Sequence, residues 1–332
     1  IDNHSHSDYS LIDENANFGT FLKQGITTEV MGNCGVTVSP TTKEQLKDNL
    51  RMFGIKANEV IIEKLYNQYK DFGTYYDYLE KRELGTNCNV YIGHSTIRTA
   101  VIGTYDTKPT DDELKDMKNH VRIAMEAGSL GLSTGLIYPP GAYADEDEIV
   151  ALCEVVAEYG GSYCTHMRSE GDKLLEAVKE AISIGRRAGV HVNISHIKIA
   201  GKNNWGKYNE LLKLIDDANE EGLKVTGDMY PYKAGCTALI DSLPPKHASE
   251  GSAALVEKLK KPEFRFQIKE ELFNQTDDFE NLVVYCGFDG MVILNSPDKD
   301  IIGKTVEQIA KERNKDVFET YCDLIVETGN NC

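Results

Sequence analysis

Residues 161–198 read GSYCTHMRSEGDKLLEAVKEAISIGRRAGVHVNISHIK. Two short extended runs, residues 162–165 and 190–195, enclose an amphipathic stretch over 172–188 that Gly189 closes as a helix stop. A histidine stands at the end of each run: His166 in Thr165-His166-Met167-Arg168-Ser169-Glu170, and His196 in Ser195-His196-Ile197-Lys198. Working outward, the same rhythm recurs. Residues 1–6, 27–31, 89–92, 130–133 and 224–227 read as further strands. Helices are expected over 110–127, from near Asp145 to Gly160-Gly161, and over 209–221 with Gly222 as its stop; the first opens on a Thr-x-x-Glu box, Thr110 to Glu113. Seven strands alternating with helices predict an α/β chain with a parallel sheet, a TIM-like (β/α)8 barrel one strand short. Beyond Tyr232 the alternation breaks. Residues 235–332 hold a Pro-containing loop, helices near 253–260 and 305–312, and an expected strand at 282–285. We therefore divide the chain into residues 1–234, a barrel carrying strands one to seven, and residues 235–332, an insertion after strand seven leading towards strand eight.

Composition narrows the partners. The 332 residues include 36 Lys and Arg against 53 Asp and Glu, a formal charge of −17, with 41% hydrophobic and 27% charged residues. These are ordinary values for a folded globular chain. No apolar run approaches the roughly 20 residues of a membrane helix, and so acidic a surface repels phosphates, which argues against nucleic acid or an anionic membrane as partner. The eight cysteines, at 34, 88, 153, 164, 236, 286, 322 and 332, form no CxxC pair and are too sparse for a disulfide scaffold. A reducing, cytoplasmic setting is expected. The chain opens on Ile1-Asp2 and closes on Asn331-Cys332, and the natural protein is expected to extend at both ends.

Active sites of parallel barrels lie at the C-terminal ends of the strands. Besides His166 and His196, His4 and His6 follow the first run; two residues apart in a strand, they face one side and could chelate. Cys34 follows the second run in Gly32-Asn33-Cys34-Gly35, where the glycines permit a sharp turn. Taken singly, each is as readily a satisfied core histidine or a small buried thiol. Taken together, four imidazoles and one thiol at strand ends converge on one axis and predict a metal site. Imidazole with thiolate suits zinc rather than Mg²⁺ or Ca²⁺. Five ligands exceed the four of one tetrahedral ion, and a thiolate could bridge two ions; one or two metals both remain open. Arg168 could grip a substrate carboxylate in bidentate fashion, or pair with Glu170 or Asp172 instead. His94, at the end of the third run, is a candidate substrate-side donor.

At this point the motifs resemble a known family. His4-Ser5-His6-Ser7-Asp8 is similar to the opening of the amidohydrolase superfamily. Together with Gly32–Gly35, Gly-His-Ser-Thr-Ile-Arg at 93–98, Gly-Leu-Ser-Thr-Gly-Leu-Ile-Tyr-Pro-Pro at 131–140, His-Met-Arg-Ser-Glu at 166–170, Ser-His-Ile-Lys at 195–198 and Asp-Met-Tyr-Pro-Tyr at 228–232, it resembles the N-acyl-D-amino-acid deacylases (D-aminoacylases) along essentially the whole chain. The resemblance implies that Cys34, His166 and His196 hold a tight zinc ion. His4 and His6 would form a weaker second position that shares the cysteine, and Tyr138, Lys198 and Tyr230 would lie near the substrate. Many other amidohydrolases bridge their metals with a carboxylated lysine after strand four, where this chain has Leu132-Ser133-Thr134. The implied reaction is zinc-dependent hydrolysis of the amide bond of an N-acyl-D-amino acid, a small-molecule substrate, to a D-amino acid and a carboxylic acid by metal-activated hydroxide.

Two departures stand out. The family's small β-sandwich, built from both chain ends, has no counterpart here, and neither has the Ser-Asp-Gly after strand eight whose Asp is the general acid/base. Gly287-Phe288-Asp289-Gly290 is only superficially similar, because segments that precede the catalytic Asp in the family follow it here. Asp289 is therefore expected to be a loop residue, the chain to stop before strand eight, and the catalytic Asp to lie beyond Cys332. Cys236 stands where relatives often carry a small hydroxyl residue. Two rival readings are a cyclic-amide hydrolase of the dihydroorotase or hydantoinase kind, which would want the missing lysine, and a non-catalytic metal-binding fragment.

Overall fold

A computed structural model describes residues 1–12, 19–52, 58–274 and 279–328. Its sheets are wholly parallel. Strand β1 (Thr28–Met31) pairs with β2 (Asn87–Val90), and β3 (Ile92–Gly93), β4 (Gly131–Gly135), β5 (Ser162–His166), β6 (His191–Ile194) and β7 (Val225–Gly227) follow in that order in a second sheet. Only Tyr91 separates β2 from β3. Its N–H donates to Met31 O at 2.9 Å, and Leu130 N–H donates to Val90 O at 3.2 Å, so one segment joins the two sheets. The expected third strand is thus two short ones. No described residue pairs in a ladder with the far edge of β7, where Thr226 and Gly227 are exposed.

The expected first strand is reduced to a single parallel bridge, Asp2 to Glu29, followed by a 3-10 turn at Ser7–Ile12. Local side-chain bonds compete with the ladder here. Asp2 accepts the His4 N–H at 3.0 Å, and Ser5 and Ser7 turn their hydroxyls onto the buried Glu29 carboxylate at 3.0 and 2.6 Å. Ser5 N–H still reaches Val30 O at 2.9 Å, which keeps the segment alongside β1.

The intervening helices follow from their ends and faces. Helix Asp111–Glu126 opens on the expected capping box of Thr110 and Glu113. Helix Glu146–Glu158 is capped by Asp145, whose side chain accepts the Glu148 N–H. Helix Leu174–Ala188 buries Ala177, Val178, Ala181, Ile182 and Ile184 on one face, and Gly189 ends it at φ 69°, a left-handed angle that glycine adopts freely. These faces and the strands share one apolar core running from Met31 to Val225.

Residues past β7 build a second apolar cluster, from Ile240 to Ile325, around helices Ser252–Leu259, Pro262–Asn274, Val306–Glu312 and Val317–Thr328. The strand expected at 282–285 is instead a helix, Leu282–Gly290, kinked at Gly287. The Asn281 side chain accepts the Val284 N–H and nucleates it; a short apolar run carries no period by which strand and helix can be told apart. Asp289 is exposed within this helical segment rather than in a loop. Among the described residues, no helix is long and apolar enough to cross a membrane.

Candidate metal centre

The turn after β1 aims the Cys34 sulfur. Cys34 has φ 53°, and of the three non-glycine residues described with positive φ, two are Cys34 and His196 (φ 38°). Such angles cost free energy and persist only where the surroundings enforce them. For Cys34 the enforcement comes from β4. The Ser133 hydroxyl donates to Gly32 O at 2.5 Å and accepts the Gly35 N–H at 3.0 Å, so it spans the turn from one side to the other. Asn33 anchors the loop to Ser5 O and Val30 O. Gly135 lies so close that a Cβ there would stand 2.3 Å from Cys34 O. For His196, just past β6, the enforcing group is Asp228 beyond β7, whose carboxylate accepts the His196 N–H at 2.6 Å.

Five expected ligands come together. His4, His6 and Cys34 present ligand atoms all within 4.8 Å of one another, and so do Cys34, His166 and His196; the sulfur belongs to both sets. Cys34 Sγ lies 3.4 Å from His4 Nε2 and 3.5 Å from His196 Nε2. The rings of His4 and His6 meet edge-on at 5.4 Å, although the strand from which their common side was expected is not formed there. The His166 and His196 ring centroids are 4.4 Å apart.

Two carboxylates orient these rings. Asp228 Oδ1 lies 3.3 Å from His4 Nδ1, and Glu170 Oε1 lies 2.8 Å from His196 Nδ1. The Lys198 ammonium also lies 2.8 Å from His196 Nδ1, while Nε2 of both rings faces the sulfur, the nitrogen by which a histidine with its other nitrogen beside a carboxylate ligates a metal. Glu170 also takes the Lys198 ammonium at 2.5 Å and stands 3.8 Å from His166 Nε2. Burial alone would raise the Glu170 pKa, but the neighbouring His166, His196 and Lys198 outweigh it and hold the carboxyl at about 2. Asp228 is likewise held low: His4, the His196 N–H and Asn193 outweigh its burial. Sequence reasoning had given neither carboxylate this role, although both stand in the quoted strand-end motifs.

The donor set suits a soft divalent cation. Both ring nitrogens of His166 are buried with no hydrogen-bond partner, and burial lowers that imidazole's pKa to about 3, which keeps it neutral and ready to ligate. Burial, with Cys164 and Glu170 nearby, pushes the Cys34 thiol up, so a bound cation is what would keep it as thiolate. Neutral imidazoles and one thiolate around a shared point fit zinc.

The remaining expected site residues divide. Tyr138 sits with its ring centroid 5.0 Å from that of His166, and Tyr230 lies 6.4 Å from His196 with the Lys198 ammonium 5.6 Å from its centroid. These three flank the ligands. Arg168 is engaged elsewhere: its Nε and Nη2 grip Glu180, and its Nη1 and Nη2 donate to Ala142 O and Ala144 O. The partner is Glu180, on the helix Leu174–Ala188, not Glu170 or Asp172, and these bonds occupy the fork that would grip a substrate carboxylate. His94 is fully buried against Glu148 at 2.7 Å, beside the equally buried Arg98, which places it in an internal charge cluster.

The chain as a whole is similar to known proteins. The chain is 36% identical over 239 residues, 72% of its length, to a D-aminoacylase of Alcaligenes xylosoxydans xylosoxydans, and 33% identical over 240 residues to the N-acyl-D-glutamate deacylase of the same organism. The chain belongs to the N-acyl-D-amino-acid deacylase (D-aminoacylase) family. It spans about half the length of these curated relatives, 47% in both cases. Among solved structures, 98% of the chain superposes on 58% of the N-acyl-D-glutamate deacylase of Bordetella bronchiseptica, in complex with zinc and a phosphonate mimic of the tetrahedral intermediate, at a TM-score of 0.74 and 28% identity. A D-aminoacylase that defines a subset of the amidohydrolases matches at a TM-score of 0.70 and 29% identity. The mixed α/β fold with parallel sheets is thus that of amidohydrolase D-aminoacylases. No protein-family model matches the chain.

Proposed function

We propose that this chain forms the metal centre of a zinc-dependent amidohydrolase that cleaves N-acyl-D-amino acids to a D-amino acid and a carboxylic acid. The observation that carries this reading is the sulfur of Cys34 shared between two sets of converging ligand atoms. Cys34, His166 and His196 would hold one ion, and His4 and His6 with the same sulfur would offer a second position. When bound, zinc supplies Lewis-acid polarisation of an amide carbonyl and an acidified water. The chain's own residues do the rest. Glu170 and Asp228 stand beside Nδ1 of His196 and His4 and would accept the Nδ1–H hydrogen bonds when Nε2 ligates. Tyr138, Tyr230 and Lys198 flank the ligand rings and would lie near the substrate. Arg168, tied to Glu180, takes no part, and neither does His94.

Hydrolysis breaks the C–N bond, and the departing amine needs a proton. No residue of this chain is assigned that role, which is the observation that keeps a second reading, a metal-binding chain without turnover, in contention. The cyclic-amide reading loses support because β4 (Gly131–Gly135) holds no lysine and its Ser133 is bonded to the Cys34 turn. Elemental analysis for zinc, with release of D-amino acid from N-acetyl-D-amino acids, tests the proposal. Zinc with turnover of the D-isomer is expected. Absence of zinc overturns the metal centre, equal or faster cleavage of the L-isomer overturns the D-specific reading, and zinc without turnover favours the second reading.

A further inference from the structure

Glu280 belongs to the part of the chain past β7, yet it is buried and both of its carboxylate oxygens serve the loop that follows β5. Oε2 accepts the Ser169 hydroxyl at 2.6 Å, and Oε1 accepts the Glu170 N–H at 2.9 Å. The Ser169 oxygen in turn accepts the N–H groups of Gly171 and Lys173, each at 3.2 Å. Five residues on, Tyr285 lies between the loops after β5 and β6. Its hydroxyl accepts the Asp172 N–H at 3.0 Å, and its ring fills the space where a Cβ on Gly171 would stand 2.5 Å away and one on Gly201 3.1 Å away. Glycine at these two positions lets one ring sit against both loops.

A buried carboxylate next to a second carboxylate is a costly way to hold a loop. What it secures is the backbone of Glu170, the residue whose carboxylate lies 2.8 Å from His196 Nδ1 and pairs with Lys198 Nζ. We propose that Glu280 is a positioning residue for the metal centre: through the Glu170 backbone it fixes the carboxylate that turns His196 Nε2 towards the Cys34 sulfur. This rests on the metal-centre reading above and extends it to a segment some 110 residues away. Outer hydrogen-bond partners of ligating histidines affect metal affinity by about 10- to 100-fold, and Glu280 acts one bond further out.

The experiment compares the unaltered chain with Glu280→Ala and Glu280→Gln. Zinc affinity is measured by competition with a chromophoric chelator, thiolate-to-metal charge-transfer absorption is recorded for the cobalt(II) forms, and thermal unfolding is followed for the metal-free proteins. Glu280→Ala is expected to weaken zinc about tenfold and to shift the charge-transfer band. Glu280→Gln keeps an acceptor for the Glu170 N–H but none for the Ser169 hydroxyl, and is expected to fall between. Should Glu280→Ala fail to fold, the Gln variant decides alone. Zinc affinity and cobalt absorption equal to those of the unaltered chain overturn the proposal even if the melting temperature drops, since a purely structural residue would show that pattern. Failure of the unaltered chain to bind zinc overturns the metal-centre reading first and this inference with it.

Discussion

The Cys34 sulfur lies 3.5 Å from His196 Nε2 across 162 residues of sequence, and both residues hold left-handed backbone angles. The two strained turns face each other, one braced by Ser133 and the other by Asp228. Removing the sulfur is expected to disable both ligand sets at once. Cys34→Ala should lose bound zinc, measured by elemental analysis after dialysis, with an affinity at least about a hundredfold weaker, beyond the usual effect of outer-sphere changes. Zinc content equal to that of the unaltered chain would remove Cys34 from the ligand set.

Asp228 acts on two histidines, through the His4 ring at 3.3 Å and the His196 backbone at 2.6 Å. Asp228→Asn keeps the shape and removes the charge. Zinc affinity is expected to fall about 10- to 100-fold, as measured by chelator competition. Because Asn can still accept the His196 N–H, the melting temperature of the metal-free chain should change less than that of Asp228→Ala.

Ser133→Ala removes the clamp over the Cys34 turn and leaves the buried Gly35 N–H without its acceptor. A loss of about 1–3 kcal/mol is expected from such an orphaned donor. Urea unfolding of the metal-free chain reads it directly, and weaker zinc binding should accompany it. An unchanged urea midpoint would show that the turn holds without the Ser133 hydroxyl.

Away from the metal centre, Asp323 on helix Val317–Thr328 accepts Arg265 Nη1 at 2.9 Å and also pairs with Lys315. Burial alone would raise its pKa, but the two cations outweigh it and hold the carboxyl below its ordinary range. On acidification the unfolded chain therefore takes up this proton first. The stabilisation is present above about pH 4 and is lost as pH falls through the depressed folded value. Asp323→Asn should lower the urea midpoint at pH 7 and flatten its decline between about pH 5 and pH 3; parallel profiles for the two proteins would contradict this.

The clustering of the strand-end side chains was legible because a parallel α/β chain gathers its strand ends at one end of the sheet, so His166 and His196 could be read together although 30 residues separate them. Their carboxylate partners were not. Glu170 and Asp228 stood in the same motifs, but which nitrogen of an imidazole a carboxylate will meet depends on how two loops fold back. The Arg168 partner was misplaced for a related reason: helix Leu174–Ala188 returns Glu180 to it, a contact that proximity in sequence to Glu170 or Asp172 does not suggest. The helix at Leu282–Gly290 was misread because four apolar residues fit either period, and the role of Glu280 just before it depends on a tertiary contact with no local signal.

Ser133 sits within β4 and bonds both sides of the turn that carries Cys34, so the sulfur's position is tied to the sheet itself. The Cys34 thiol is itself buried, and burial holds its proton on, so it is a poor target for oxidants. A cation that displaced that proton would supply the charge that burial denies, so metal and thiolate are expected to arrive and depart together, with acid favouring their departure.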